Sequence, residues 1–183
     1  VTCIDDEIPF EIPTSWAWVR LEQLCTYIQR GKSPKYSEIK KYPVVAQKCN
    51  QWTGFSLEKA LFLDPATRDS CGEERLWNST GLGTLGRMAI YDSSKNEYGL
   101  AVADSHVTVI RTIPLMVSSE YLFKYFSSHT VQSVIEDKSE GSTKQKELAT
   151  STVKSYMVPL PPYEEQLRIV AAANNVIASI MRR

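Results

Sequence analysis

The chain has 183 residues, 43% of them hydrophobic and 10% aromatic, with 21 basic and 21 acidic side chains. That content fills the core of one ordinary domain, and it excludes both a largely disordered chain and a protein that grips a polyanion by net charge alone. No apolar run approaches the roughly 20 residues of a membrane helix, and no basic-then-apolar leader follows Val1, so the start reads as a cut from a longer chain.

Residues 1–14 read as an extended opening segment, because Pro9 and Pro13 forbid helix continuation. Residues 16–21 alternate as a short strand, and Tyr27-Ile28 starts a second that ends at Gly31. Residues 32–43 are polar and basic with two prolines, which suits an exposed loop. Residues 43–49 and 60–63 read as strands. From 64 to 83 the signals (Asp-Pro, Cys-Gly, Asn-Ser-Thr-Gly) are those of a long functional loop. Strands over 84–91 and 100–113 follow, joined by a turn at Asp92-Ser-Ser-Lys-Asn-Glu.

Ser118-Ser-Glu120 then supplies an N-cap and a first-turn acid for a helix through Phe126. Val131, Val134 and Ile135 hold helical spacing in a second helix that runs out near Gly141. Residues 144–150 suit a helical turn and 153–159 a last strand, stopped by Pro159, Pro161 and Pro162. Pro162 fits the first position of a final helix, with Glu164 and Glu165 at its positive end. Ile169, Ala173, Val176 and Ile180 form an a/d seam in it, widened by Val170 and Ile177, as in a coiled-coil arm or an ordinary packed amphipathic helix. The expectation is an α+β chain: a β-rich globular domain over 1–160 and the start of an amphipathic, coiled-coil-type helix over 161–183.

Several motifs carry no chemistry on this pattern. Cys3, Cys25, Cys49 and Cys71 lie far apart with no CxxC, and His106 and His129 have no helical partner, so reduced thiols are expected and a zinc site is not. Gly81-Leu-Gly83-Thr-Leu-Gly86 spells GxGxxG, but loop residues precede it and a short β-like run follows; its glycines suit a loop entering a strand. Leu160-Pro-Pro-Tyr163 resembles an adenine methyltransferase loop, yet leucine replaces the polar residue that would accept from the adenine amino group. Gly141-Ser-Thr-Lys144 lacks the phosphate-loop spacing. An enzyme is therefore not expected, and no cofactor is called for.

The charge distribution says more than the total. Residues 29–51 carry Arg30, Lys32, Lys35, Lys40, Lys41 and Lys48 against a single acid, Glu38, a pattern that suits a phosphate-facing edge or a solvated loop. Phosphate contacts need Lys or Arg, and base reading favours Arg on guanine and Asn or Gln on adenine. The loops over 29–51 and 68–87 hold those types as Gln29, Arg30, Lys32, Lys35, Lys48, Asn50, Gln51, Arg68, Arg75 and Arg87. Thr143, Lys144, Gln145 and Lys146 form a third candidate segment.

Three stretches resemble target recognition domains of type I restriction–modification specificity subunits. They are Glu11-Ile-Pro13-Thr-Ser-Trp16-Ala-Trp18-Val-Arg20-Leu21, the centre Gly86-Arg-Met-Ala-Ile90 with Ala103-Asp-Ser-His106-Val-Thr-Val-Ile110-Arg111, and the close. The close joins Gly141-Ser-Thr143-Lys-Gln145-Lys-Glu-Leu148 to Val158-Pro-Leu-Pro161-Pro162-Tyr-Glu-Glu165-Gln166-Leu-Arg168-Ile169-Val170; here Lys144 interrupts the family's Gly-Ser/Thr-Thr-Gln run. The resemblance implies a non-catalytic cytoplasmic protein of a bacterium or archaeon that reads one half of a bipartite double-stranded DNA site. It implies a methyltransferase subunit and a restriction subunit as partners, and spacer helices through which half subunits could pair. An adaptor that associates through its terminal helix without binding DNA is the other expectation.

Overall fold

A computed structural model describes residues 7–51, 53–67, 85–135, 137–139 and 147–182, and the backbone alone over Arg75–Asn78. In chain order, β1 (Ala17–Arg20) leads through a 3-10 turn (Leu21–Leu24) into β2 (Cys25–Arg30), then β3 (Tyr36–Ser37) and β4 (Pro43–Val45). A second 3-10 turn (Gln47–Cys49) precedes β5 (Asn50–Gln51), β6 (Gly54–Phe55), β7 (Leu61–Leu63), β8 (Arg75–Asn78) and β9 (Met88–Ile90). β10 (Val102–Ala103) and β11 (Val107–Thr112) are followed by α1 (Ser119–Phe126), α2 (His129–Gln132), α3 (Thr150–Ser155), β12 (Met157–Leu160) and α4 (Tyr163–Met181).

Among the described residues, the central sheet runs β2-β11-β8-β9, every pair antiparallel. A second sheet runs β10-β4-β7-β3, with β10 and β4 parallel. β1 pairs with β12, and β5 with β6. The central sheet is covered on both sides, which explains why Val107 to Ile110 are all buried rather than alternating. Ile28, Ile110 and Met88 face one core with Leu122, Phe126, Val153 and Val170. Val107, Val109 and Ala89 face the other, with Val45 and Ala103 of the second sheet and Phe55 of the β5–β6 pair. The result is three layers of helices, central sheet and small sheet.

Local signals hold where they are strong. The Ser118 hydroxyl accepts from Tyr121 N at 3.4 Å, and α1 buries Tyr121, Leu122 and Phe126. The opening segment folds back so that Phe10 meets Trp18 edge to face, 4.9 Å between centroids.

Other expectations are corrected. The loop over 32–43 contains β3, and the loop over 64–83 contains β8, whose four residues are held by partners on both sides that no local pattern reveals. The strand expected over 43–49 stops at Val45 and turns. That over 84–91 shortens to β9, because Gly86 takes φ 75° just before it. The 100–113 run splits at Asp104, whose carboxylate accepts from His106 N at 2.9 Å and turns the chain between two sheets. The second helix is one turn, α2, in a serine-rich stretch that favours turns. Val153 enters the core from α3, a helix where a strand was expected, and β12 starts only at Met157. Pro162 lies one residue outside α4, as its N-cap.

Candidate nucleic-acid interface

The register of the central sheet lines up one row of residues: Arg30 opposite Thr108, Thr108 opposite Trp77, and Trp77 opposite Met88. Past this row, at one end of the sheet, lie Gly31 to Lys35, Arg87, and the Asp104–His106 turn entering β11. The Arg30 guanidinium pairs with Glu147 and donates to the Leu148 carbonyl at 2.8 Å, so the chain following 143–146 reaches the same end. β4 ends beside β10 in parallel register, Val45 opposite Ala103, which brings Lys48 and Gln51 to this rim as well.

The basic loop is clamped there by backbone. Gly31 N donates to Val107 O at 3.0 Å, and Lys32 N to Ala103 O at 3.2 Å. A Cβ at Gly31 would stand 2.0 Å from the Ala103 oxygen, so only glycine allows this approach. Beside it, Asp104 is buried and accepts from the His106 ring Nδ1 at 2.6 Å and from the Tyr36 hydroxyl at 3.4 Å. Burial, and then the nearby Asp104 charge, raise the Tyr36 phenol above its ordinary range.

The expected site residues divide into groups. Gln29, Lys32, Lys35 and Lys48 are exposed at or near this end; Gln29 sits on β2, not in a loop. Arg30, also a strand residue, is drawn inward by Glu147 and Leu148, and burial lowers its pKa. Arg87 is half-buried and donates to Gln51 Oε1 at 3.2 Å and to the Asn50 carbonyl at 3.4 Å. Gln51 also donates to the Lys48 carbonyl at 2.6 Å, so it ties the rim together. One assignment is corrected. Asn50 is fully buried, packed beneath the rim, and its side chain cannot reach a base as it stands. Arg75 belongs to β8, opposite Ile110 and Ile90, about 7 Å back along the strand from the Trp77 row. Arg68, Thr143, Lys144, Gln145 and Lys146 lie outside the described residues, as do the side chain of Arg75 and Trp52.

Sequence reasoning weighed His106 as a metal ligand and set it aside. The signal that could have found it is the Asp-x-His spacing, which lets one carboxylate hold both the backbone and the ring two residues on.

The opposite end of the sheet belongs to the helix. A groove of about 810 Å3 there is lined by Thr26, Ile90, Thr112, Tyr163 and Leu167 among others. Gln166 and Val170 of α4 are buried, and Ile169 and Ala173 are half-buried against the domain. The same stripe runs on through Val176, Ile177 and Ile180, which are exposed by 58%, 44% and 66%. The seam expected over 169–180 is therefore two surfaces: its first part closes this domain's own core, and its second overhangs it. No helix among the described residues is long and apolar enough to cross a membrane. Among the described residues, no three histidine, cysteine or carboxylate side chains gather as a metal site.

The sequence profile of the type I restriction modification DNA specificity domain matches residues 13–183. The chain is 24% identical over 184 residues to the type I restriction enzyme EcoEI specificity subunit of Escherichia coli, covering 94% of this chain and 30% of that protein. It is 24% identical over 170 residues to the EcoAI specificity subunit of the same organism, covering 91% of this chain and 28% of the relative. Among solved structures, the HsdS subunit from Thermoanaerobacter tengcongensis superposes with a TM-score of 0.70 at 18% identity, over 94% of this chain and 40% of that one. The S subunit of a type I system from M. genitalium gives 0.60 at 12% identity, over 90% of this chain and 40% of that one. The chain thus spans under a third of the length of these curated relatives.

Proposed function

The chain belongs to the type I restriction modification DNA specificity domain family, and on that premise we propose that it reads one half of a bipartite double-stranded DNA site and breaks or makes no bond itself. The observation that carries this reading is the row Arg30-Thr108-Trp77-Met88, beyond which the segments rich in Lys, Arg and Gln leave the sheet together. Exposed Lys32, Lys35 and Lys48 supply phosphate contacts at that rim. Gln29 supplies an amide suited to adenine, and Arg87, steadied by Gln51, a guanidinium suited to guanine. The polar network behind them keeps the donors in place at little entropic cost on binding.

The overhanging end of α4 is the proposed docking arm. Val176, Ile177 and Ile180 leave an apolar stripe that another helix would cover, either the spacer helix of a second recognition domain or that of a second copy. The methyltransferase subunit, and through the assembly the restriction subunit, are the partners this reading assigns, in the bacterial or archaeal cytoplasm.

The test is selection of duplexes from a random pool by the full subunit with its methyltransferase partner, followed by affinity measurement over a salt series. A defined half-site and a slope of about −0.9 in log affinity against log salt per phosphate contacted are expected. Association without any sequence-dependent DNA affinity would favour the adaptor reading instead.

A further inference from the structure

The Asp104–His106 turn has features of a binding element that neither the basic loop nor the α4 arm explains. The carboxylate of Asp104 is buried, accepts from the His106 backbone at 2.9 Å and from its Nδ1 at 2.6 Å, and takes the Tyr36 hydroxyl on its other oxygen. A buried carboxylate with an imidazole on one oxygen orients the ring and favours the tautomer protonated at Nδ1, leaving Nε2 as the atom that gains a proton when the ring becomes cationic. The ring itself is 57% exposed. It stands beside two hydroxyls, with Ser33 Oγ donating to Ser105 Oγ at 3.2 Å and Ser105 Oγ 3.5 Å from the ring Nδ1. The clamp at Gly31 holds Lys32 to the same turn, and Lys35 follows three residues on.

We propose that His106 is a proton-linked phosphate contact: as imidazolium, held by Asp104, it donates from Nε2 to a backbone phosphodiester of bound DNA. This rests on the DNA-reading function above and adds to it a residue and a pH dependence. Lysines alone would give a grip constant across neutral pH. An imidazolium donor gives one that strengthens with acidity, because DNA binds the protonated ring more tightly than the neutral one. The charged and titratable groups around the ring are Asp104 and Tyr36, with Lys32 and Lys35 on the clamped loop. Cys49 lies behind Asp104, where burial, the largest influence, raises its pKa. Of the carboxylate and imidazole pair, the ring is the exposed member. A phosphate is favoured over a base edge because the turn is pinned by buried backbone contacts and rimmed by hydroxyls and lysines, the donor types that position a duplex.

The experiment measures anisotropy of labelled duplexes bound by the full subunit with its methyltransferase, from pH 5.5 to 8.5 at fixed ionic strength, for the natural protein and for His106→Gln. Selected and unrelated duplexes are compared. The natural protein should bind both more tightly at low pH. His106→Gln should flatten that rise, weaken both duplexes about tenfold at the acidic end, and lower the salt slope there by about one phosphate. Should the variant fail to fold, the His106 ring proton resonance of the natural protein, titrated with and without DNA, decides the matter by moving to a higher titration midpoint in the complex. A flat pH profile, an unmoved midpoint, or a loss confined to the selected duplex overturns the phosphate assignment while leaving DNA reading intact. Absence of sequence-dependent binding at every pH overturns DNA reading itself.

Discussion

Gln166 Oε1 accepts from Ser118 N at 2.8 Å, joining the first turn of α4 to the cap of α1. Its Nε2 donates to Met116 O at 3.1 Å and Pro161 O at 2.9 Å, and the side chain is fully buried. One amide therefore satisfies three backbone groups where two helices and the chain after β11 meet. Gln166→Leu fits the space but strands all three, so it should destabilise the fold by about 2–4 kcal/mol in urea unfolding, near the upper end for a lost buried bond. A loss under 1 kcal/mol would mean that water replaces the amide.

Gly31→Ala places a methyl group 2.0 Å from the Ala103 oxygen, against backbone that cannot yield. The basic loop must then lift from the β10–β11 turn, and its bonds to Ala103 and Val107 lengthen. Expected are a stability loss of about 1–3 kcal/mol and weaker DNA binding than that loss alone explains. Amide exchange should quicken at Gly31 and Lys32 while α1 stays protected.

Lys35 and Gln29 should separate positioning from reading. Lys35→Ala removes an exposed cation from the clamped loop, so it should weaken all duplexes alike and lower the salt slope by about 1. Gln29→Ala should leave the slope unchanged and lose about 1–3 kcal/mol only on the selected duplex. Equal losses on both duplexes would remove Gln29 from the base-reading set.

The two halves of the α4 stripe should respond oppositely to charge. Ile177→Asp with Ile180→Asp touches exposed positions, so the melting temperature of the monomeric form should barely move while helix-mediated association is lost in light scattering. Val170→Asp, by contrast, buries a charge in this domain's own core and should unfold it. Association that survives the double change would place the docking surface elsewhere.

Alkaline pH should loosen the helical layer. The Tyr121 hydroxyl donates to Pro159 O at 2.6 Å and the Tyr125 hydroxyl to Met157 O at 3.0 Å, tying α1 to β12. Burial, above all, raises Tyr121 beyond its ordinary range and pushes Tyr125 and Tyr156 up to about 12 from a usual 10. Between these values the folded chain keeps phenol protons that the unfolded chain has lost, so stability is full below pH 10 and falls as pH rises towards 12. Tyr125→Phe should shrink that fall, read by denaturant midpoints at pH 8 and 11.

Local chemistry settled a good part of this molecule. The Ser118 cap, the prolines before α4, the apolar stripe from Ile169 to Ile180 and the β-rich middle are all carried by neighbouring residues, because caps, turns and helical periodicity act within a few positions of the chain. Lys32, Lys35 and Lys48 were recognisable as surface cations for the same reason. Tertiary structure alone decided what each stripe and each polar side chain meets. It recruited Arg75–Asn78 into the central sheet, buried Asn50, drew Arg30 towards Glu147, and split the α4 stripe into a part this domain covers and a part it leaves bare. Strand pairing and burial bring together residues as distant as Arg30 and Glu147, and the free energy of such contacts depends on the whole packed arrangement, which no local pattern encodes.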